Sequence, residues 1–292
     1  MAVIAIVGAT IVIITIAVIL WMRRYPFEIF AFFTRRALTK AGLQRKTFHG
    51  IVYWVGGRGR DTIVLLHGTN DQAGTWAPVV PSLVERYRLL IPDLPGHGES
   101  APSSGPLSIP DIASGFADLM AETTGDEPVN LAGNSMGGWI AMLYALDHPQ
   151  KVRRLVLEDS GGMSWDLSGL PLVPQTREQA ALAMRLVLGP KGPMPPNYVL
   201  DAMVRRALRT PMLRLIQSGA PQYAVDNRLG ELKPPVTMIW GDSDGVLRLK
   251  YAETLQSRIA NAKLQVIEEC GHIPHRQKPE QFVSLLREAI DV

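Results

Sequence analysis

The chain opens on a stretch without a single charge: Ala2 to Met22 reads AVIAIVGATIVIITIAVILWM. At about 1.5 Å of rise per residue, roughly 20 apolar residues span the hydrocarbon core of a bilayer, so the pattern predicts a transmembrane anchor over residues 1–22. A cleaved signal peptide would call for a basic segment before the run and a small-residue cleavage site after it. The run instead ends Ile19-Leu20-Trp21-Met22 with no basic residue ahead of it. From residue 47 short β-branched runs alternate with helical patterns. The predicted strands are Phe48–Val55, Thr62–Leu66, Arg88–Ile91, Val129–Ala132, Arg154–Leu157, Val236–Trp240 and Leu264–Ile267. Several are continuous apolar runs (TIVLL, VTMIW), the mark of strands buried on both faces. Helical periodicity occupies Ile109–Thr123, Gly138–Asp147, Lys250–Ile259 and Pro279–Ile290. This alternation predicts an α/β fold: a mostly parallel central sheet with helices on both faces.

One interval breaks the rhythm. Between Gly162 and Lys233 no convincing strand occurs, far beyond the length of an ordinary loop. Helix starts punctuate it: Thr176-x-x-Gln179 reads as a capping box, Asn197 caps a helix over Tyr198–Leu208, and Thr210-Pro211 opens another. The expected organisation is an anchor at 1–22, a basic and aromatic juxtamembrane segment at 23–46, a core at 47–162 and 234–292, and a helical cap at 163–233 over the carboxyl edge of the sheet.

Composition changes this picture in two places. The 292 residues carry a formal net charge of +3, which alone would admit a nucleic-acid partner. Residues 23–60 hold nine Lys and Arg against Glu28 alone, leaving 21 basic and 26 acidic residues elsewhere. The basic character therefore belongs to the membrane-proximal stretch, where it meets anionic headgroups, and no nucleic-acid partner is expected. Tyr25, Phe27, Phe30, Phe32 and Phe33 lie among those charges, as aromatic side chains do at a bilayer interface. Positive charge on the C-terminal flank of the anchor predicts that the domain after it lies on the cytoplasmic side. Cys270 is the only cysteine, which excludes an internal disulfide and a cysteine metal cluster. Gly56-Gly57-Arg58-Gly59 reads as a hairpin-type turn, not a phosphate cradle.

The candidate chemistry centres on Gly133-Asn134-Ser135-Met136-Gly137-Gly138, between the strand VNLA and the helix GWIAMLYALDH. A strand-to-helix turn this tight strains the backbone at Ser135, and side chains at positions 133 and 137 would collide with their neighbours. It lifts the serine hydroxyl above the sheet edge as a nucleophile; the other reading is a helix N-cap serine. A hydroxyl needs a base. His272 follows the last strand and precedes the terminal helix, the place of the base in the chain order Ser, acid, His. His275 lies near it, His67 and His97 sit in loops they support, and His49 and His148 lack a motif. For the acid, Asp244 lies a few residues past Val236–Trp240, with room to turn toward His272; Asp242 and Asp159 are alternatives. The oxyanion of an acyl transition state needs two backbone donors, assigned to the N–H groups of Met136 and Thr69. Nothing calls for a cofactor or a metal.

His67-Gly68, the run Asp93-Leu94-Pro95-Gly96-His97-Gly98-Glu99-Ser100, Gly-Asn-Ser-Met-Gly-Gly at 133–138, Trp240-Gly241-x-x-Asp244 and Gly271-His272-x-Pro274 together resemble the α/β-hydrolase superfamily, in its order, over residues 48–290. With an N-terminal anchor, the chain looks like single-pass membrane monoacylglycerol lipases and related bacterial lipases. The resemblance implies a serine hydrolase of carboxylic esters, with a lipid or ester substrate and a membrane as partners. The same elbow also looks like that of hydrolases cleaving carbon–carbon bonds in ring-fission products, although Thr69-Asn70-Asp71 stands where those carry glycines. Haloalkane dehalogenases and epoxide hydrolases use an aspartate nucleophile, and Ser135 speaks against both. A non-catalytic binding protein on the same fold is the rival of another class.

Overall fold

The computed structural model describes residues 2–166 and 168–291, without the side chains of residues 2–6, 8 and 9. Parts of the expected anchor and cap thus fall outside the described residues. The sheet has eight strands: β1 Gln44–Phe48, β2 Ile51–Gly56, β3 Thr62–Leu66, β4 Arg88–Pro92, β5 Val129–Asn134, β6 Val152–Glu158, β7 Val236–Gly241 and β8 Lys263–Ile267. Their order is β1-β2-β4-β3-β5-β6-β7-β8. β2 runs antiparallel to β1 and β4, and the remaining pairs are parallel. The helices are α1 Ala2–Arg24, α2 Pro26–Lys40, α3 Val80–Leu83, α4 Ile109–Thr124, α5 Met136–Asp147, α6 Arg177–Leu188, α7 Asn197–Arg206, α8 Pro211–Gln217, α9 Leu249–Arg258, α10 Pro274–Gln277 and α11 Pro279–Ile290.

Strand β3 shows why the runs are apolar throughout. Its side chains alternate between faces, and both faces are covered. Val64 and Leu66 join a core with Ile109 and Phe116 of α4, Ile140 of α5 and Leu255 of α9. Ile63 and Leu65 join the opposite core with Leu38 of α2, Leu83 of α3, and Phe282 and Leu286 of α11.

Several sequence expectations change. The strand read as Phe48–Val55 is two, β1 and β2, turned by His49 and Gly50 with φ of 44° and 81°. The turn fell inside one β-branched run, and β1 (QRKTF) has too little apolar content to announce itself. Gly56–Gly59 is no hairpin, since β2 pairs with β4 and not with β3. Its glycines instead let the chain pass the turn before β4, where a Cβ at Gly57 or Gly59 would come within 2.1 or 1.8 Å of the carbonyls of Tyr87 and Arg86. In the cap, Asn197 is the first residue of α7 and not its cap; Pro196 holds that position, and α7 ends at Arg206 in a short 3₁₀ turn. Thr176 does accept the Gln179 N–H, although the Gln179 side chain reaches back to Gln175 N–H instead of closing the box.

The N-terminal helices meet sharply. α1 and α2 are bent by 88° across Tyr25, with Pro26 opening α2. Among the described residues no single helix is long and apolar enough to cross a membrane, while Thr10–Arg24 and Pro26–Lys40 pass that test as a bent pair. α2 is docked on the α/β body: Leu38 is buried, and Arg35 lies 3.3 Å from both Asp93 and Glu99.

Candidate active site

Ser135 occupies the turn between β5 and α5 with φ 54° and ψ −118°, a conformation L-residues avoid. Glycine neighbours make it possible. A Cβ at Gly133 would fall 2.4 Å from the Gly137 backbone, and one at Gly137 would fall 2.3 Å from the Leu66 carbonyl. Two backbone bonds brace the strained residue: its N–H donates to the Glu158 carbonyl and its carbonyl accepts from Gly161, both at 3.0 Å. The Ser135 side chain makes no capping bond to α5, so the helix-cap reading does not account for it. It is half-buried among buried neighbours and stands at the N-terminus of a 12-residue helix, whose dipole favours negative charge.

His272 and Asp244 come together from the loops after β8 and β7. His272 Nδ1–H donates to Asp244 Oδ2 at 2.7 Å, and both side chains are buried. Asp244 Oδ1 accepts the N–H groups of Val246 and Leu247 at 2.7 and 3.0 Å, which fixes the carboxylate plane. The orientation leaves Nε2 of His272 as the free ring nitrogen. Asn134, next to Ser135, donates from Nδ2 to the His272 carbonyl at 2.9 Å and so ties the histidine loop to the serine turn. The sequence offered one signal for it: a polar side chain at the end of a buried strand.

Each alternative finds a different position. Asp242 accepts from the Ser243 hydroxyl and the Cys270 N–H, and the hydrogen-bond partner of the His272 ring is Asp244 instead. Asp159, after β6, does reach the pair: its carboxyl, that of Asp244 and the His272 ring present polar atoms within 4.8 Å of one another. Two carboxylates and an imidazole at this spacing could hold a cation, but one Asp244 oxygen and one His272 nitrogen are already bonded to each other. His275 is a separate centre. Its backbone and ring N–H groups both reach Glu158, its Nε2 lies 2.9 Å from Thr75 Oγ, and its ring packs at a tilt against Trp76, entirely out of solvent.

On the other side of Ser135, Met136 is the first residue of α5, where a backbone N–H has no intrahelical acceptor. Thr69 sits half-buried in the turn after β3. His67 sets that turn: its Nε2 accepts the Leu94 N–H at 2.9 Å while its Nδ1–H holds the Gly68 carbonyl at 2.8 Å. The opposite end of the Gly68–Thr69 peptide is thereby aimed away from His67. His97, buried beside His67, is pushed down to about 3 by burial and by that neighbour, and is neutral at working pH. Cys270 is buried, and burial pushes its thiol up to about 12, so it remains an unreactive packing group. His49 stacks on Phe48 and His148 ends α5 against Tyr144, both remote from Ser135 by position in the fold.

The cap touches this site through its backbone. The last turn of α6 leaves the carbonyls of Leu186, Val187 and Leu188 without helical partners. They accept from Gly245 N–H at 2.9 Å, His272 N–H at 2.7 Å and Gln277 Nε2 at 2.9 Å.

The family model described as "Alpha/beta hydrolase family" matches residues 63–285. The chain belongs to this family. Among its relatives, the monoacylglycerol lipase ABHD6 of Homo sapiens is 27% identical over 78% of this chain and 74% of that protein. A 2-hydroxy-6-oxononadienedioate/2-hydroxy-6-oxononatrienedioate hydrolase of Paraburkholderia phymatum is 29% identical over 79% of this chain and 87% of that protein. A solved structure described as a membrane phospholipase A, a bacterial virulence factor, aligns with TM-score 0.79 and 26% identity over 98% of this chain and 97% of that one. As a family hydrolase with lipase relatives, the protein has the fold that the motifs implied.

Proposed function

We propose that the protein is a membrane-anchored serine hydrolase that cleaves carboxylic esters of lipids such as monoacylglycerols. The observation that carries the reading is the strained, uncapped Ser135, tied through Asn134 to the loop of His272, whose ring is oriented by Asp244. In this reading Ser135 Oγ attacks the ester carbonyl while His272 Nε2 takes its proton. The N–H groups of Met136 and Thr69 hold the oxyanion. The imidazolium, stabilised by Asp244, then protonates the departing alcohol. Water repeats the sequence on the acyl-enzyme, releasing the acid and restoring the Ser135 hydroxyl.

The lipid assignment rests on the N-terminus and its ties to the cap. Ile11 to Met22 are exposed, as an apolar segment seated in lipid requires. Arg205 of α7 donates to the Arg24 carbonyl, the Arg206 guanidinium lies 4.7 Å over Phe27, and that of Arg23 lies 5.7 Å over Tyr198. The cap is thus linked to the junction of α1 and α2, so an α1 seated in lipid would hold the site close to the bilayer surface, and the basic residues that follow α1 favour the cytoplasmic side for this domain. The named activities of the human lipase and of the membrane phospholipase A point the same way.

The test is labelling of the full-length protein with a fluorophosphonate, wild type against Ser135→Ala, followed by an ester chain-length panel. Labelling that Ser135→Ala abolishes, with long-chain monoacylglycerol preferred over a short water-soluble ester, supports the reading. An unlabelled wild type overturns it. Efficient turnover of a ring-fission dienoate would instead support the carbon–carbon hydrolase reading that the Paraburkholderia relative suggests.

A further inference from the structure

A second carboxyl group lies behind the Asp244–His272 pair. Asp159 is fully buried, at a left-handed φ of 40°, on the turn that follows β6. Its Oδ1 accepts the Gly241 N–H at 3.1 Å, but its Oδ2 has no hydrogen-bond partner among the described residues when the group is taken as a carboxylate. A buried, ionised oxygen left unpaired is costly, and here it would also face a like charge. Asp244 already accepts three hydrogen bonds, from His272, Val246 and Leu247, and is the acceptor in this cluster. A proton on Asp159 removes both problems, because a carboxylic acid has one O–H to donate.

We infer that Asp159 is a neutral carboxylic acid donating a hydrogen bond to Asp244, and is a positioning residue for the Asp244–His272 pair. The inference rests on the reading of Ser135, His272 and Asp244 given above. The groups facing Asp159 favour the protonated form: burial first, then the charge of Asp244 and the bond to it, then the charge of Glu158 at the end of β6. All raise its carboxyl above the usual range, and only the Gly241 N–H opposes them. Glu158 is itself engaged by His275, and the remaining ring in the cluster is that of His272. By donating to Asp244, the acid draws off part of the negative charge that stabilises a protonated His272. It thereby keeps the imidazole a free base at lower pH than the charged pair alone would.

The experiment measures the rate of fluorophosphonate labelling of full-length protein from about pH 5 to 9, which reads His272 through Ser135 without a lipid substrate. Asp159→Asn keeps a neutral donor of the same shape, and its acid limb is expected to coincide with that of wild type. Asp159→Leu removes the donor, and its acid limb is expected to move up by about 0.5–1 pH unit. A Leu variant that loses amplitude at an unchanged midpoint, or an Asn variant that shifts the midpoint, would overturn the inference. Should Asp159→Leu not fold, thermal unfolding of Asp159→Asn against wild type decides. A carboxyl raised in the folded state contributes stability that is full below its unfolded value of about 4 and is lost as pH rises toward its folded value. The Asn variant is therefore expected to gain on wild type as pH climbs from about 4, and parallel curves count against the inference. Wild type that takes no label at all sinks the hydrolase reading itself, a result distinct from any of these.

Discussion

At Gly137 there is no space for one more methyl group. A Cβ there would lie 2.3 Å from the Leu66 carbonyl, a backbone atom in the middle of the sheet that cannot swing aside. Gly137→Ala is expected to cost about 1–3 kcal/mol, read as a lower denaturation midpoint. It should also misplace Ser135, whose strained φ depends on that packing. Ser135→Ala is the converse case: it keeps the turn, so its melting temperature should stay within a few degrees of wild type. On the proposed reading its ester turnover is expected to fall by more than about 10³-fold, because the proposed nucleophile is gone and only binding and the proposed oxyanion donors remain. Much at this scale was legible in the chain. The glycines around Ser135 state a steric need, and His272 stands one turn past the last strand. Asp159 and Asp244 are 85 positions apart on different strand ends, and only the register of β6 beside β7 brings them together. Spacing along the chain could offer them as alternatives to each other but could not show that both are present in one cluster.

The apolar runs that announced the strands did so because parallel strands are covered on both faces, and their periodicity required no knowledge of partners. Elements whose character comes from their neighbours were harder to read. β1 is polar in four of its five residues, exposed there, and is a strand only because β2 offers it an edge. The end of α6 is the clearest case in the cap. Its apolar side chains read as helix packing, whereas its consequence for the site is carried by backbone carbonyls, which every residue has. Those carbonyls fix the loops of Asp244 and His272 and set the negative end of the α6 dipole beside them. At Gly271 a Cβ would lie 2.2 Å from the Val187 carbonyl. Gly271→Ala is therefore expected to push the His272 loop away from α6. It should lower kcat/KM by about 10²-fold, the scale of a 1 Å misplacement, while far-ultraviolet circular dichroism stays that of wild type. His275→Ala tests a different element contact. It leaves the Glu158 carboxyl buried without its ring partner, at an expected cost of roughly 2–4 kcal/mol in unfolding free energy.

Taken as a whole, the molecule joins two regions of opposite character through a bend of 88°. α1 exposes its apolar side chains, whereas α2 lays Leu38 into the core and Arg35 against Asp93. Asp93 also accepts the N–H groups of Ala73 and Glu99, so the base of the proposed anchor is fastened to the loops that carry the motif at 93–98. In the proposed reading this arrangement separates chemistry from delivery. The buried Asp244–His272 pair lies at the carboxyl edge of the sheet and makes no hydrogen bond to α1 among the described residues, while α1, Phe32 and Phe33 offer the apolar surface that lipid would cover. Removing residues 2–24 while keeping α2 is thus expected to leave hydrolysis of a short water-soluble ester within about threefold of wild type. Against long-chain monoacylglycerol in vesicles the same protein should lose roughly 10-fold or more, because tethering raises the effective concentration of a site relative to its substrate without adding contacts. Parallel assays on the two substrates, with flotation of the vesicles to measure binding, separate the outcomes. Equal losses on both would mean that α1 supports the fold of the catalytic body. Equal retention on both would mean that lipid reaches Ser135 without the anchor, by way of α2 and the cap.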